Sequence, residues 1–341
     1  MSVSPAIRVV PHIDQAEVQG WLRELRLKAY APGSDYKVSA VFAMRRKNDV
    51  ILAGGVNVEC FDHRLNSHGE TAAISLLATI FGKKMVLDEG WTLGAPGMLT
   101  GPSADPLGDK PGTTCGACRQ HINEFARSPD MTVSSLALNG QRQSDPLSFL
   151  LPHSFSFSNF DPAIYRAKID AQTKESDLDQ AAMHRRVVCC DALSEEQIRN
   201  WLQSLESIDY ASGLDHGVIL RLSNGSYVAG VKVENAAYVG TSAMQSALAN
   251  AVTMYGSIEV VEIYAHGRRA GAADNLVYPV PLSGLQGLNE FVATDPKKVP
   301  VTLYTQGGDS ITIGLGQAAG LATSFAHPAY RLKDGKLSVA G

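Results

Sequence analysis

Two short runs in this chain could together hold a metal and move protons: His68-Gly69-Glu70 and Cys115-Gly116-Ala117-Cys118. One imidazole and two thiolates make three ligands for zinc, which binds tetrahedrally and in catalytic sites leaves its fourth position to water. Bound zinc can bring the pKa of that water from ~15.7 to ~7, so hydroxide exists near neutral pH. Glu70 is then a spare carboxylate beside a ligand, able to take a proton from water and pass it on. A Cys-x-x-Cys pair alone also fits a structural zinc knuckle or a redox couple. The redox couple has no use for His68 and Glu70. The structural site needs a fourth protein ligand, for which Cys60 and His63 are the candidates. Cys60 reads more readily as a small buried hydrophobe, and His121 as a helix-surface residue or one standing directly behind the ligands than as a ligand.

Such a set needs elements to position it, and each run opens a helix. Thr71 to Phe81 is apolar and stops at Gly82, and the residues after Cys118 place Ile122, Phe125 and Ala126 at helical spacing. A helix N-terminus carries partial positive charge and favours thiolate over thiol. Two helix starts converging on one ion is the arrangement implied.

The combination His-x-Glu with a distant Cys-x-x-Cys is the pattern of zinc deaminases of nucleobases. Three further segments make the chain resemble the cytidine deaminase family, in its long form with two related domains per chain. Lys28-Ala29-Tyr30-Ala31-Pro32-Gly33-Ser34-Asp35-Tyr36-Lys37-Val38-Ser39-Ala40 resembles the family's opening motif. Gly55-Val56-Asn57-Val58-Glu59 resembles its G-x-N-x-E strand end, and Cys115 to Gln120 reads C-G-A-C-R-Q.

The resemblance implies zinc on His68, Cys115 and Cys118, with Glu70 as the proton shuttle. It makes Asn57 and Glu59 the readers of the sugar hydroxyls, which suits an amide and a carboxylate facing a group that both donates and accepts. Tyr36 takes the aromatic position near the base. The implied reaction is hydrolytic deamination of cytidine or deoxycytidine to the uridine product and ammonia, a step of pyrimidine salvage.

The departures bear on the substrate. Thr114 stands where the family has Pro, Gly69 where it has Ala, Gly33 where it has Tyr, and Ser39 where it has Gly. The stretch from Leu93 to Thr114 is rich in Gly and Pro and lengthens the interval between the two zinc runs. A loop this long in a compact domain is usually functional or disordered, and here it reads as a lid or rim over the substrate mouth. A deaminase or amidohydrolase of a modified, N4-substituted or antibiotic cytosine nucleoside is therefore an open alternative, as is a catalytically silent nucleoside-binding protein.

The second half repeats the first. Helical segments at Val18–Leu25 and Ile198–Leu205 are each followed by paired strands: Val38–Met44 and Val50–Glu59, then Val218–Leu222 and Tyr227–Glu234. Gly55-Val56-Asn57-Val58-Glu59 answers to Gly230-Val231-Lys232-Val233-Glu234, and Asn123-Glu124-Phe125 to Asn289-Glu290-Phe291. At the positions of Cys115 and Cys118 the second copy has Pro281 and Gly284. Ser242-Ala243-Met244-Gln245 stands where His68 and Glu70 would fall. One zinc per chain, in the first copy only, is the consequence.

The division expected is a catalytic domain over 1–158, a polar linker over 159–190, partly helical around Lys168–Asp177, and a degenerate domain over 191–341. The order of elements predicts an α/β fold of mixed sheets with about five strands each. The three-layer α/β/α deaminase arrangement follows from the resemblance. So does a homodimer in which the second domain helps complete the partner's site, for which Glu234-Asn235-Ala236-Ala237-Tyr238 is the segment of interest.

Composition narrows the class further. The chain has 341 residues, 45% hydrophobic and 19% charged, which is ordinary for a globular protein of two domains. No apolar run approaches the length of a membrane span, and the first residues do not form a secretory signal. Five cysteines, two of them in one motif, fit a reducing compartment, so a cytoplasmic enzyme is expected; the adjacent Cys189 and Cys190 read as core thiols. A net charge of −4 and the lack of a dense basic run disfavour nucleic acid as a partner. Arg45-Arg46-Lys47 reads as a hairpin turn, and Arg185-Arg186 as solvated.

Overall fold

The computed structural model describes residues 6–96, 110–155, 178–209, 212–237, 240–292, 295–321 and 329–340. Gly54 and Gly55 show how the first copy is layered. They are neighbours in strand β3 (Val50–Val56), so their substituents point to opposite faces of the sheet. A Cβ on Gly54 would lie 2.5 Å from a Leu25 methyl, and one on Gly55 would lie 2.2 Å from the Ala73 nitrogen. Leu25 belongs to helix α1 (Gln15–Arg26) and Ala73 to α2 (Gly69–Phe81). Two helices thus clamp the sheet at one point from opposite sides, giving α/β/α layers.

Each helix is built for its place. Asp14 caps α1, its carboxylate accepting from Ala16 N and Glu17 N, and Val18, Trp21, Leu22 and Leu25 form its buried stripe. Helix α2 is buried on nearly every side. An all-round apolar helix needs cover on both faces, and the second copy provides it.

The first sheet has six strands in the order β1-β3-β2-β4-β5-β6. They are β1 (Ile7–Val10), β2 (Tyr36–Arg45), β3, β4 (Glu89–Pro96), β5 (Thr132–Leu136) and β6 (Arg142–Pro146). Only β4 and β5 run parallel, joined through α3 (Gly116–Phe125); a short helix, α4 (Leu147–Leu150), follows β6. Next along the chain come α5 (Gln180–Val187), β7 (Val188–Cys189) and α6 (Glu195–Ser204). Strands β8 (Leu214–Leu222) and β9 (Tyr227–Val231), helix α7 (Ala243–Tyr255) and strand β10 (Val260–Arg269) follow. After β11 (Leu276–Val277) lie α8 (Leu282–Leu288), β12 (Pro300–Tyr304), β13 (Ser310–Gly314), α9 (Leu315–Ala319), β14 (Tyr330–Lys333) and β15 (Lys336–Val339).

The second sheet reads β13-β12-β10-β8-β9-β7, the same order as the first, strand for strand. Its one parallel pair, β10 with β12, occupies the place of β4 with β5. Each copy therefore has the five expected strands and an edge strand before them. Strands β11, β14 and β15 form a small separate sheet.

The copies meet through α2 and α7. Asn250 Nδ2 donates to Thr79 Oγ1, and Val56 N to Thr253 Oγ1, both at 3.3 Å. Lys28 Nζ donates to the Thr253 and Met254 carbonyls at 3.0 and 2.8 Å, at the negative end of α7.

Several details differ from the sequence expectation. Strand β3 ends at Val56 rather than Glu59, because Asn57 turns to bond with Val38 O and Tyr30 N; β9 ends likewise at Val231. The supposed loop from Leu93 starts as strand, since β4 pairs with β2 as far as Pro96. Residues 97–109 of that stretch, Lys168–Asp177 of the linker and Tyr238 lie outside the described residues. The linker, expected to be partly helical, contains α5, but it also contains β7, the edge strand of the second sheet. Cys189 is half-buried and packs against the core, whereas Cys190 is exposed rather than a core thiol. Among the described residues no helix is long and apolar enough to cross a membrane.

Candidate active site

His68 is the N-cap of α2 and Cys115 the N-cap of α3. Both have extended backbones, which turn their side chains across the helix ends. Thr71 Oγ1 accepts from His68 N at 3.0 Å, and Cys115 Sγ accepts from Cys118 N at 3.5 Å. Those contacts leave the ring and the sulfurs facing one another. His68 Nδ1 lies 3.5 Å from Cys115 Sγ and 3.3 Å from Cys118 Sγ, and the three ligand atoms all fall within 4.8 Å of one another.

These spacings can be tested against zinc. A tetrahedron with Zn–S of about 2.3 Å and Zn–N of about 2.0 Å has S···N edges of about 3.5 Å. The two observed separations match, and the donor set is the soft one that zinc prefers. Cys60, His63 and His121 stand outside the cluster.

Charge in the cluster is unevenly shared. The Cys115 thiol is pulled down to about 3, first by its hydrogen bond with Cys118 and then by that with His68. Cys118, more deeply buried, is pushed up by sharing a proton with Cys115 and by desolvation. The hydrogen bond to Cys115 raises His68. Burial raises the Glu70 carboxyl, which is only 4% exposed.

A cleft of about 230 Å³ opens over the cluster, and Tyr36, Asn57, Glu59, His68, Glu70 and Cys115 all line it. Cys118 is buried beneath. The seven residues singled out from sequence are thus brought together. Asn57 is partly engaged already, donating from Nδ2 to Tyr36 O at 2.9 Å and accepting at Oδ1 from Val38 N at 2.7 Å. Glu59 accepts from both the amide and the hydroxyl of Ser34. The phenol of Tyr36 rests over Gly94 and Gly112, where an added Cβ would come within 2.9 Å of its hydroxyl. Gly112 and Thr113 both line the cleft, so the end of the Gly/Pro-rich stretch forms part of its rim.

Two contributors escaped the sequence reading. Thr92 lines the cleft from β4 with a buried hydroxyl, but in sequence it is one polar residue in a strand. Arg26 donates to Lys37 O at 3.1 Å and Ala95 O at 2.7 Å, tying β2 to β4 beside the cleft. In sequence it is one arginine at the end of a helical segment, and nothing local marks this use.

In the second copy the corresponding helix caps are Ser242 and Pro281. Met244, in the place of Glu70, is fully buried and packs on Gly284, whose added Cβ would lie 2.9 Å from Met244 Cβ. The space that holds chemistry in one half is filled by a thioether in the other.

The chain matches no protein-family description and no curated protein. Solved structures similar to part of it include a cytidine deaminase from Burkholderia pseudomallei, at 25% identity and a TM-score of 0.34, over 42% of this chain and 100% of that one. Another is the cytidine deaminase from Mycobacterium leprae, at 24% identity and TM-score 0.30, with the same coverage. A third is that from Mycobacterium tuberculosis, at 23% identity and TM-score 0.31, over 42% of this chain and 99% of that one.

Proposed function

We propose that this chain is a zinc-dependent hydrolase that deaminates a cytosine nucleoside, cytidine or deoxycytidine, releasing ammonia. One observation carries the reading: an imidazole and two thiols converge beside a buried carboxylate, at the base of a cleft rimmed by Asn57 and Glu59. His68, Cys115 and Cys118 would hold the metal. When bound, zinc supplies a Lewis acid that makes water nucleophilic near neutral pH.

The remaining steps belong to the side chains. Glu70 takes the proton from the attacking water and delivers protons to the ring N3 and then to the departing amino group. The C4–O bond forms first as the N3–C4 double bond opens and N3 takes a proton; the C4–N4 bond then breaks as the hydroxyl proton passes to the amino group, leaving a C4 carbonyl and ammonia. Asn57 retains one amide hydrogen and one lone pair beyond its contacts to β2, enough to hold one sugar hydroxyl. Glu59 offers its carboxylate to a second. Tyr36 walls the cleft on the side of Gly94 and Gly112. The family resemblance adds a homodimer, which light scattering at twice the chain mass would support.

The test is a zinc assay coupled to the ultraviolet absorbance change on adding cytidine, deoxycytidine and an N4-substituted analogue. One zinc per chain with a falling cytidine band supports the proposal. One zinc with turnover of the analogue alone moves the reading to modified nucleosides. A chain that takes up no zinc overturns it.

A further inference from the structure

The two copies meet through pairs of equivalent residues that have diverged. The residue after each strand-end glutamate, Cys60 in the first copy and Asn235 in the second, reaches across to the other copy's cap helix. Asn235 meets His121 on α3, and Cys60 meets Gly287 on α8. His121 and Gly287 stand at the same offset from their N-caps, Cys115 and Pro281.

The two contacts differ in kind. Cys60 Sγ lies 4.0 Å from Gly287 O, one small residue packed on another. Asn235 Nδ2 donates to His121 Nδ1 at 2.8 Å, and both side chains are buried, at 3% and 0% exposure. The other ring nitrogen, Nε2, is buried without a hydrogen-bond partner among the described residues, and a charged ring would need an acceptor at both nitrogens, so the ring is neutral. Burial, which pushes His121 down to about 4, keeps it so. The polar contact therefore sits on the helix that carries both cysteines. The plain one sits on the helix that has lost them.

We propose that Asn235 is a positioning residue: through His121 it lets the degenerate copy fix the turn of α3 that sets Cys118 against His68. Cys118 and His121 are three residues apart in one helix and share a face, so holding His121 in rotation also holds the sulfur. Ligand sets keep their geometry through such supporting hydrogen bonds. The inference rests on the zinc-hydrolase reading and gives the second copy a role within its own chain.

The experiment follows zinc release to a chromogenic chelator from the full-length protein, alongside kcat, KM and thermal melting. Asn235→Ala is expected to release zinc about ten-fold faster or more and to lower kcat with KM little changed. Cys60→Ala, at the equivalent position, is expected to alter neither. Asn235→Ala leaves a buried ring nitrogen without its partner, so loss of fold must be separated from loss of orientation. Adding His121→Leu removes that orphan and should restore the melting temperature, while zinc release stays fast. Recovery of slow release in the double variant would overturn the inference, as would equal acceleration by Cys60→Ala. Zinc held by Asn235→Ala as firmly as by the unaltered chain would overturn this inference alone. An unaltered chain that binds no zinc would overturn the parent reading with it.

Discussion

The two halves of this chain share strand order, the one parallel pair and the helix that covers the sheet centre, yet they part at four side chains. His68, Glu70, Cys115 and Cys118 in one half are Ser242, Met244, Pro281 and Gly284 in the other. What did not change is as instructive. Gly55 and Gly230 each bring the sheet so close to a helix that an added Cβ would lie 2.2 Å from the nitrogen of Ala73 or Ala247. Backbone contact of that kind cannot drift one residue at a time, because any side chain there must push a whole helix away. The ligand set can drift, since Met244 and Gly284 fill its place without moving the frame. The fold is therefore independent of the chemistry it displays.

The sharpest way to break this comparison is at Glu70. Glu70→Gln should lower turnover by about 10²–10⁴-fold, the range of positioned proton transfer, and leave the zinc content unchanged. Met244→Glu in the second half should confer neither zinc nor activity. Near-normal rates in Glu70→Gln would remove the proposed mechanism. Next in size is the metal: Cys118→Ser or exhaustive chelation should abolish turnover and reduce zinc to none per chain, which elemental analysis reads directly.

The shared frame offers a symmetric test. Gly55→Ala and Gly230→Ala should each destabilise by roughly 2–3 kcal/mol, as overpacking of a close contact does, measured as a lower denaturant midpoint. A large loss at Gly55 with none at Gly230 would show that the halves are not held alike.

The last effect is one of pH, comparable in size but spread over about two to three pH units. Burial pushes His216 in the second half down to about 4, below the ordinary histidine value of about 6.5. Below about pH 6.5 the unfolded chain takes up a proton that the folded chain refuses until about pH 4. Stability present above pH 6.5 should thus fall by up to about 3 kcal/mol on acidification to pH 4. Thermal melts across that window, repeated on His216→Gln, test it. An unchanged pH slope in the variant would exonerate this side chain.

The candidate site residues were legible because each carries chemistry in its type and spacing, and because the helix after each run showed apolar period, the first also its stop at Gly82. The repeat was legible from Gly230-Val231-Lys232-Val233-Glu234, which kept the pattern after the chemistry left. What could not be read were contacts made at long range by residues of ordinary type. His121 read as a helix-surface histidine or one behind the ligands, but its partner, Asn235, is far away in sequence and was not marked. Arg26 drew no reading at all, one arginine at the end of a helical segment, although it joins two strands. Strand β7 hid in a polar stretch because two residues show no period.

One consequence follows from the helix caps. Ser242 accepts from Gln245 N, and Gln245 Oε1 accepts from Ser242 N, so α7 begins with its end groups satisfied by its own residues. In α2 the same position is spent on a ring that faces two sulfurs. A serine cap is worth about 1 kcal/mol to a helix, so α2 starts with a local deficit that α7 lacks. A ligand that binds only the folded form offsets such a deficit by an amount that grows with the logarithm of its free concentration. The melting point of this protein should accordingly become a gauge of free zinc.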